Sequence, residues 1–231
     1  MERRNFLKGA LLTTGSLLLG GAIIHRLQED EEPAEHPFPP AIESVHQGNK
    51  RNVLVVMSAG TRLGNTDRLT DAYIRGLAEA GHSVTKVYLG SMRIEGCRGC
   101  GVCQRLAHRC AVQDGMQDIY PLFAACDTVV MASPLYFWTI TSRLKAFIER
   151  LYAISVEDKY PQKDSVLLMT AGDDKEATFE QPQRYFRLLN EALGWKEVGI
   201  YCAGGCTGCE KTARQIDPVH LENARRMGRE L

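Results

Sequence analysis

Between Asn52 and Leu231, five short apolar runs alternate with stretches whose apolar residues recur at helical spacing. No other feature narrows the fold as far, because strand–helix alternation builds a parallel sheet covered on both faces. Val53–Met57 is a continuous apolar run of the kind buried on both sides. Asp67 to Ala80 follows, with Leu69, Tyr73, Leu77 and Ala80 on one helical face. Ser83–Leu89 alternates through Val84, Val87 and Leu89, and Asp127–Ala132, Ser165–Thr170 and Glu197–Tyr201 read as strands three to five. Thr141–Tyr152, Glu180–Leu193 and Asp217–Arg229 read as helices, the last with Pro218 in its first turn. Asp114-Gly-Met-Gln117 has the form of a capping box, with Asp114 as cap and Gln117 reaching back. Right-handed crossovers then suit a doubly wound five-stranded parallel sheet in the order 2-1-3-4-5.

The chain ahead of this pattern has a different character. Arg3-Arg4, then Phe6, Leu7 and Lys8, precede a moderately apolar run from Gly9 to Ile24. The combination resembles a twin-arginine export signal. Its sixteen residues fall short of the ~20 that span a bilayer comfortably. No clean Ala-x-Ala site follows, so both a cleaved signal and a retained N-terminal membrane anchor are open. Glu29-Asp-Glu-Glu32, Pro33, Pro37, Pro39 and Pro40 then mark an acidic, extended linker. The expected organisation is a signal or anchor over 1–27, a linker over 28–51 and one globular domain over 52–231. The location expected is periplasmic or otherwise extracytoplasmic. With 28 basic and 28 acidic residues, no domain-wide basic field argues for nucleic acid.

Cys97, Cys100, Cys103 and Cys110 lie in one loop after the second strand, as Cys-x2-Cys-x2-Cys-x6-Cys. So compact a set can turn several thiolates toward one point. The spacing suits a four-cysteine iron–sulfur cluster. Four thiolates also make a structural zinc site, and paired cysteines make disulfides in an oxidising compartment. Two steps of two residues in succession favour the cluster, since zinc sites more often use two separated pairs. The twin-arginine route, understood to move folded proteins with cofactors inserted, favours it too.

In a doubly wound sheet the ligand sits beyond the carboxyl ends of the strands. The loop after strand one, Ser58-Ala-Gly-Thr-Arg-Leu-Gly-Asn-Thr66, runs straight into a helix. Its backbone N–H groups and the hydroxyls of Ser58, Thr61 and Thr66 suit a phosphate. It is neither Gly-x-Gly-x-x-Gly nor a Walker loop. After strand three, Ser133-Pro-Leu-Tyr-Phe-Trp138 brings Tyr136, Phe137 and Trp138 to the same rim, where they can line a flat ring, pack in the core or form a subunit interface. After strand four, Ala171 and Gly172 let a planar ligand approach the backbone.

Together these loops resemble the flavodoxin-like NADPH-dependent FMN reductase superfamily, and with the cysteines its iron–sulfur flavoprotein branch. The family's Gly-Ser-Pro-Arg-x-x-Gly-Asn-Thr is matched at Gly64, Asn65 and Thr66. Ala59 stands at the family's serine and Thr61 at its arginine, with Arg62 next door as a substitute for the charge. Ser-Pro-x-Tyr and Lys-Ala-Phe-x-Asp-Arg stand here as Ser133-Pro-Leu-Tyr136 and Lys145-Ala-Phe-Ile-Glu-Arg150. The family's Asp-Asp-Met helix start is kept in two of its three residues at Asp114-Gly-Met116. The resemblance covers roughly 52–231. It implies FMN held by Ser58, Gly60, Thr61, Arg62, Gly64, Asn65 and Thr66, by Ser133, Pro134, Leu135, Tyr136, Phe137 and Trp138, and by Ala171 and Gly172. It also implies a 4Fe–4S cluster on Cys97, Cys100, Cys103 and Cys110, and a homo-oligomer in which one chain's cluster lies near a neighbour's flavin. The activity implied is electron relay between flavin and a redox partner that the sequence does not name.

Cys202, Cys206 and Cys209 form a second group, which reads as a disulfide or plain thiols rather than a complete metal site. Strands two and five are opposite edges, which sets it apart from the first group. Cys126 and Trp195 read as core residues, and His108 as an exposed one. Two other functions compete: a cluster-free FMN-dependent NAD(P)H:quinone or azo reductase with a zinc or disulfide loop, and a non-catalytic electron carrier.

Overall fold

The computed structural model describes residues 50–105, 108–156, 159–208 and 214–231. The segment expected to be a twin-arginine signal, almost all of the expected linker and Cys209 lie outside these residues. Strands β1 (Asn52–Met57), β2 (Ser83–Tyr88), β3 (Thr128–Pro134), β4 (Asp164–Thr170) and β5 (Lys196–Ala203) form one sheet in the order β2-β1-β3-β4-β5. All four pairings are parallel, as the continuous apolar runs required.

Period-two alternation sends side chains to opposite faces, and each face has its own core. Val53, Val55 and Met57 pack with Val130, Ala132, Val166 and Leu168 under α1 (Asn65–Glu79) and α6 (Pro218–Arg229). Leu54, Val56, Val129, Met131, Leu167 and Met169 face α3 (Met116–Ala125), α4 (Ser142–Arg150) and α5 (Glu176–Leu193). A one-turn helix, α2 (Val102–Arg105), lies inside the cysteine loop. Helices α1 and α6 cross where both carry glycine. A Cβ on Gly76 would meet Arg225 O at 2.0 Å, and one on Gly228 would meet Tyr73 O at 2.3 Å.

Three boundaries differ from expectation for local reasons. Helix α5 starts at Glu176, one turn early, where Asp173 accepts from Lys175 N–H and from the Thr178 hydroxyl. Helix α4 ends at Arg150, and the chain tightens into a 3₁₀ turn over Leu151–Ile154. The capping box does not form. Gly115 is the cap residue of α3, with no side-chain cap bond, and the Gln117 amide donates to Val112 O at 2.9 Å. Asp114 does accept from Met116 N–H at 3.0 Å, but its carboxylate is taken chiefly by the buried Arg150. A buried guanidinium demands a counter-charge more strongly than a helix end demands a cap.

Candidate functional site

Three loops meet at the carboxyl ends of β1, β3 and β4, and hydrogen bonds lock them together. Ser58 is fully buried, and its hydroxyl donates to Ala132 O at 2.8 Å. Leu135 N–H donates to Thr170 O at 2.8 Å, and the hydroxyls of Thr66 and Thr170 share a bond of 2.7 Å. Ser133 is buried and accepts from Thr141 N–H at 3.0 Å. Of the hydroxyls expected to face a phosphate, those of Ser58 and Thr66 thus brace the loops from within, as does that of Ser133. Thr61 remains on the open surface beside Gly60 and Arg62.

The helix that follows is open at its start. Gly64 caps α1 in an extended conformation and gives no side-chain cap bond, so the first-turn N–H groups receive none from it. Asn65 Nδ2 donates to Thr207 O at 2.7 Å, while its Oδ1 is buried without a hydrogen-bond partner among the described residues. Leu63 sits at φ 58°, and its N–H donates to Asp67 Oδ2 at 2.7 Å. Asp67 is itself neutralised by Lys86. Cations flank the loop, among them Arg214, whose Cδ lies 3.7 Å from where a Gly64 Cβ would be. The Arg62 guanidinium lies 4.8 Å from the centre of the Tyr88 ring. Arg143, from the first turn of α4, places Nη1 3.7 Å from where a Gly60 Cβ would be. Sequence reasoning missed Arg143, because its proximity to Gly60 arises only when α4 folds back beside β1.

The aromatic loop is neither core nor a flat strand end. Tyr136 and Thr139 pair in both directions, at 2.9 and 3.1 Å, around Phe137 and Trp138. Both central residues have positive φ, 47° and 59°, which is costly for side chains of this size. Phe137 is 93% exposed and Trp138 65%. The strained turn holds two large rings in solvent at the rim. Across from it, Ala171 is buried and Gly172 exposed; a Cβ on Gly172 would meet Cys206 O at 3.4 Å.

The cysteine segment departs from β2 through a 3₁₀ turn, Leu89–Ser91, that packs on the first loop: a Gly90 Cβ would meet Ala59 O at 2.6 Å. Cys103 is buried, Cys110 half-buried, and Cys97 and Cys100 are exposed. Gly99 and Gly101 turn the chain at φ 62° and 66° between the cysteines, a conformation open to glycine. Gly99 N–H donates to Cys97 Sγ at 3.4 Å. Burial pushes the Cys103 thiol up, and negative charge on Cys110, Cys100 and Cys97 adds to that. Among the described residues no three His, Cys, Asp or Glu side chains are drawn into a metal-holding group.

The loop is docked on the end of α4 and the turn beyond it. Glu149 Oε2 accepts from Cys97 N–H at 3.1 Å, and the Gln104 amide donates to Tyr152 O at 2.8 Å. Because α4 rises about 1.5 Å per residue, this dock lies well along the helix from Thr141 and the three rim loops. His108 is half-buried, at φ 55°.

The remaining thiols are quieter. Cys126 is buried as expected, and burial pushes its thiol up to about 11. Burial pushes Cys202 to about 11 as well, with the Gln183 amide 3.7 Å from its sulfur. Cys202 packs on one face of the sheet and Cys206 on the other. A cavity of about 490 Å³, unanticipated from sequence, opens past β5 between Asp174, Glu176, Phe179, Cys202, Asp217 and His220. Trp195 is buried and donates to Pro161 O at 3.0 Å.

Comparison with known proteins places the chain. The family described as NADPH-dependent FMN reductase matches residues 52–203. An iron–sulfur flavoprotein of Archaeoglobus fulgidus is 27% identical over 177 residues, covering 75% of each chain. One from Methanocaldococcus jannaschii is 22% identical over 172 residues, 73% of this chain and 89% of that one. Among solved structures, the NAD(P)H:quinone oxidoreductase from Methanothermobacter marburgensis superposes with a TM-score of 0.62 at 20% identity, over 78% of this chain and 96% of that one. The structural likeness establishes the shared five-stranded fold.

Proposed function

The chain belongs to the NADPH-dependent FMN reductase family and is an FMN-dependent oxidoreductase; from that premise we propose that it is an exported iron–sulfur flavoprotein relaying electrons between FMN and a redox partner. The observation that carries this reading is a conjunction within one chain. The glycine loop ahead of α1 and the loop of four cysteines both lie against α4, at Arg143 and at Glu149.

When bound, FMN supplies two-electron chemistry and a 4Fe–4S cluster passes single electrons. The chain's residues bind and orient these groups. N–H groups of Asn65 and Thr66 at the start of α1 suit the phosphate, where helix dipole and free donors act together. Gly60, Thr61 and Gly64 leave the backbone open to it. Arg143, with Arg62, supplies the positive charge that Thr61 cannot. Pro134, Leu135, Tyr136, Phe137, Trp138, Ala171 and Gly172 form the rim against which a flat ring lies, and the strained turn pre-sets the aromatic positions. Cys97, Cys100, Cys103 and Cys110 suit the cluster on donor chemistry: four soft sulfurs, one already receiving an N–H bond.

Export rests on Arg3-Arg4 and the apolar run after them. Assembly of several copies is supported by the exposed Phe137–Trp138 turn and by the dock of the cysteine loop away from the flavin loops. The test is anaerobic purification with counts of FMN, iron and acid-labile sulfide, repeated on Cys103→Ser. One FMN with about four iron and four sulfide per chain, lost in the variant while FMN stays, supports the reading. FMN with stoichiometric zinc supports the cluster-free reductase. Absence of FMN sinks both.

A further inference from the structure

The stems of the cysteine loop converge on one side chain. Arg150 is the last residue of α4 and is 1% exposed. Its Nη1 donates to Glu95 O at 3.0 Å, just before Cys97. The same nitrogen donates to Asp114 Oδ2 at 2.7 Å, and Nη2 donates to Asp114 Oδ1 at 3.1 Å. Nη2 also reaches Val112 O at 2.9 Å, just after Cys110. Asp114, 3% exposed at its side chain, closes the ring by accepting from Glu95 N–H at 2.9 Å. Gly115 N–H donates to Arg93 O at 3.0 Å, one step further down the neck. Tyr120 fixes the Arg150 backbone, donating its O–H to Arg150 O at 3.0 Å.

Forming such a fork in the interior is expensive unless the charge is paired and its donors are satisfied. A surface loop needs no buried guanidinium merely to close, since closure entropy grows slowly with length. What the fork adds is a fixed separation between the two stems. A flexible segment with two exposed thiols otherwise holds its sulfurs at variable distances.

We propose that Arg150 and Asp114 are positioning residues of the cysteine site: the guanidinium pins both stems of the loop, and so sets where Cys97 and Cys110 stand relative to the buried Cys103. Lysine cannot replace it, because a point charge lacks the planar set of donors that reaches Glu95, Val112 and Asp114 at once. The iron readout rests on the cluster reading above; the positioning claim itself does not.

The test uses the full chain. Amide hydrogen exchange is read on metal-free wild type, Arg150→Lys and Asp114→Asn. Iron and sulfide are then counted after anaerobic reconstitution, with FMN binding measured alongside. The expected result is exchange at least about tenfold faster across 95–114 in both variants, with β1, β3 and β4 unchanged. Reconstituted iron falls at least about fivefold while FMN binding is retained. Wild-type exchange across the loop, or wild-type iron content, overturns the proposal. If Arg150→Lys exposes the sheet as well, Asp114→Asn decides by the same readouts. A wild-type chain that binds FMN but takes up no iron defeats the cluster reading alone, and the exchange comparison still decides the clamp.

Discussion

Thr66 in the first turn of α1 and Thr170 at the end of β4 share a hydrogen bond of 2.7 Å between hydroxyls that are both buried. The bond ties the open helix start to the strand whose next residues, Ala171 and Gly172, form the opposite rim. Thr66→Val keeps the shape but leaves the Thr170 hydroxyl buried without that partner, at a cost of about 1–3 kcal/mol. Thr66→Val/Thr170→Val costs less than the two single changes added, because no orphan remains. Urea unfolding of the four proteins measures the coupling.

The crossing of α1 and α6 is limited by backbone. At Gly76 an added Cβ would meet Arg225 O at 2.0 Å, a distance that only separating the helices relieves. Gly76→Ala therefore destabilises the fold by at least about 2 kcal/mol. A thermal or urea midpoint equal to wild type contradicts this packing.

Arg143 faces Gly60 with no hydrogen bond or ion pair to another described residue, and Thr61 stands where the resembling family carries arginine. Arg143→Ala is expected to weaken FMN binding about tenfold to a hundredfold, the range for losing a hydrogen bond to a charged group. The loss shrinks as salt rises. Adding Thr61→Arg to that variant restores part of the affinity. Fluorescence titration with FMN reads all three proteins.

Strand order and the placing of the three rim loops were legible because apolar runs, turn residues and helical spacing agree from Val53 to Tyr201. What escaped was set by tertiary partners. Asp114 looks like a helix cap in isolation, but Arg150, thirty-six residues later, claims its carboxylate. The donation of the Ser58 hydroxyl to Ala132 O has no local signal, because the two residues are seventy-four apart. Phe137 and Trp138 occupy a turn whose positive φ values the sequence does not announce, since neither residue favours them. Arg143 carries no local signal, because only the packing of α4 brings it to Gly60.

Asp114 also makes a prediction about acid. Burial alone would raise its carboxyl, but the Arg150 hydrogen bond and the amides of Glu95 and Met116 outweigh it and hold the group below the usual carboxylate range. A depressed folded pKa contributes stability above the unfolded value and loses it as pH falls through the folded one. The difference in urea midpoint between wild type and Asp114→Asn should thus stay constant from pH 7 to about 5 and shrink below about 4. A difference that widens in acid contradicts the pairing.

The proposed relay requires FMN and the cluster to exchange electrons. The most direct measurement is photoreduction of the anaerobic holoprotein, followed by freezing at intervals and electron paramagnetic resonance of the iron alongside flavin absorbance. The expected result is an iron–sulfur signal that grows as reduced flavin decays, and that Cys103→Ser abolishes. Flavin that stays reduced beside iron that never changes state would contradict it.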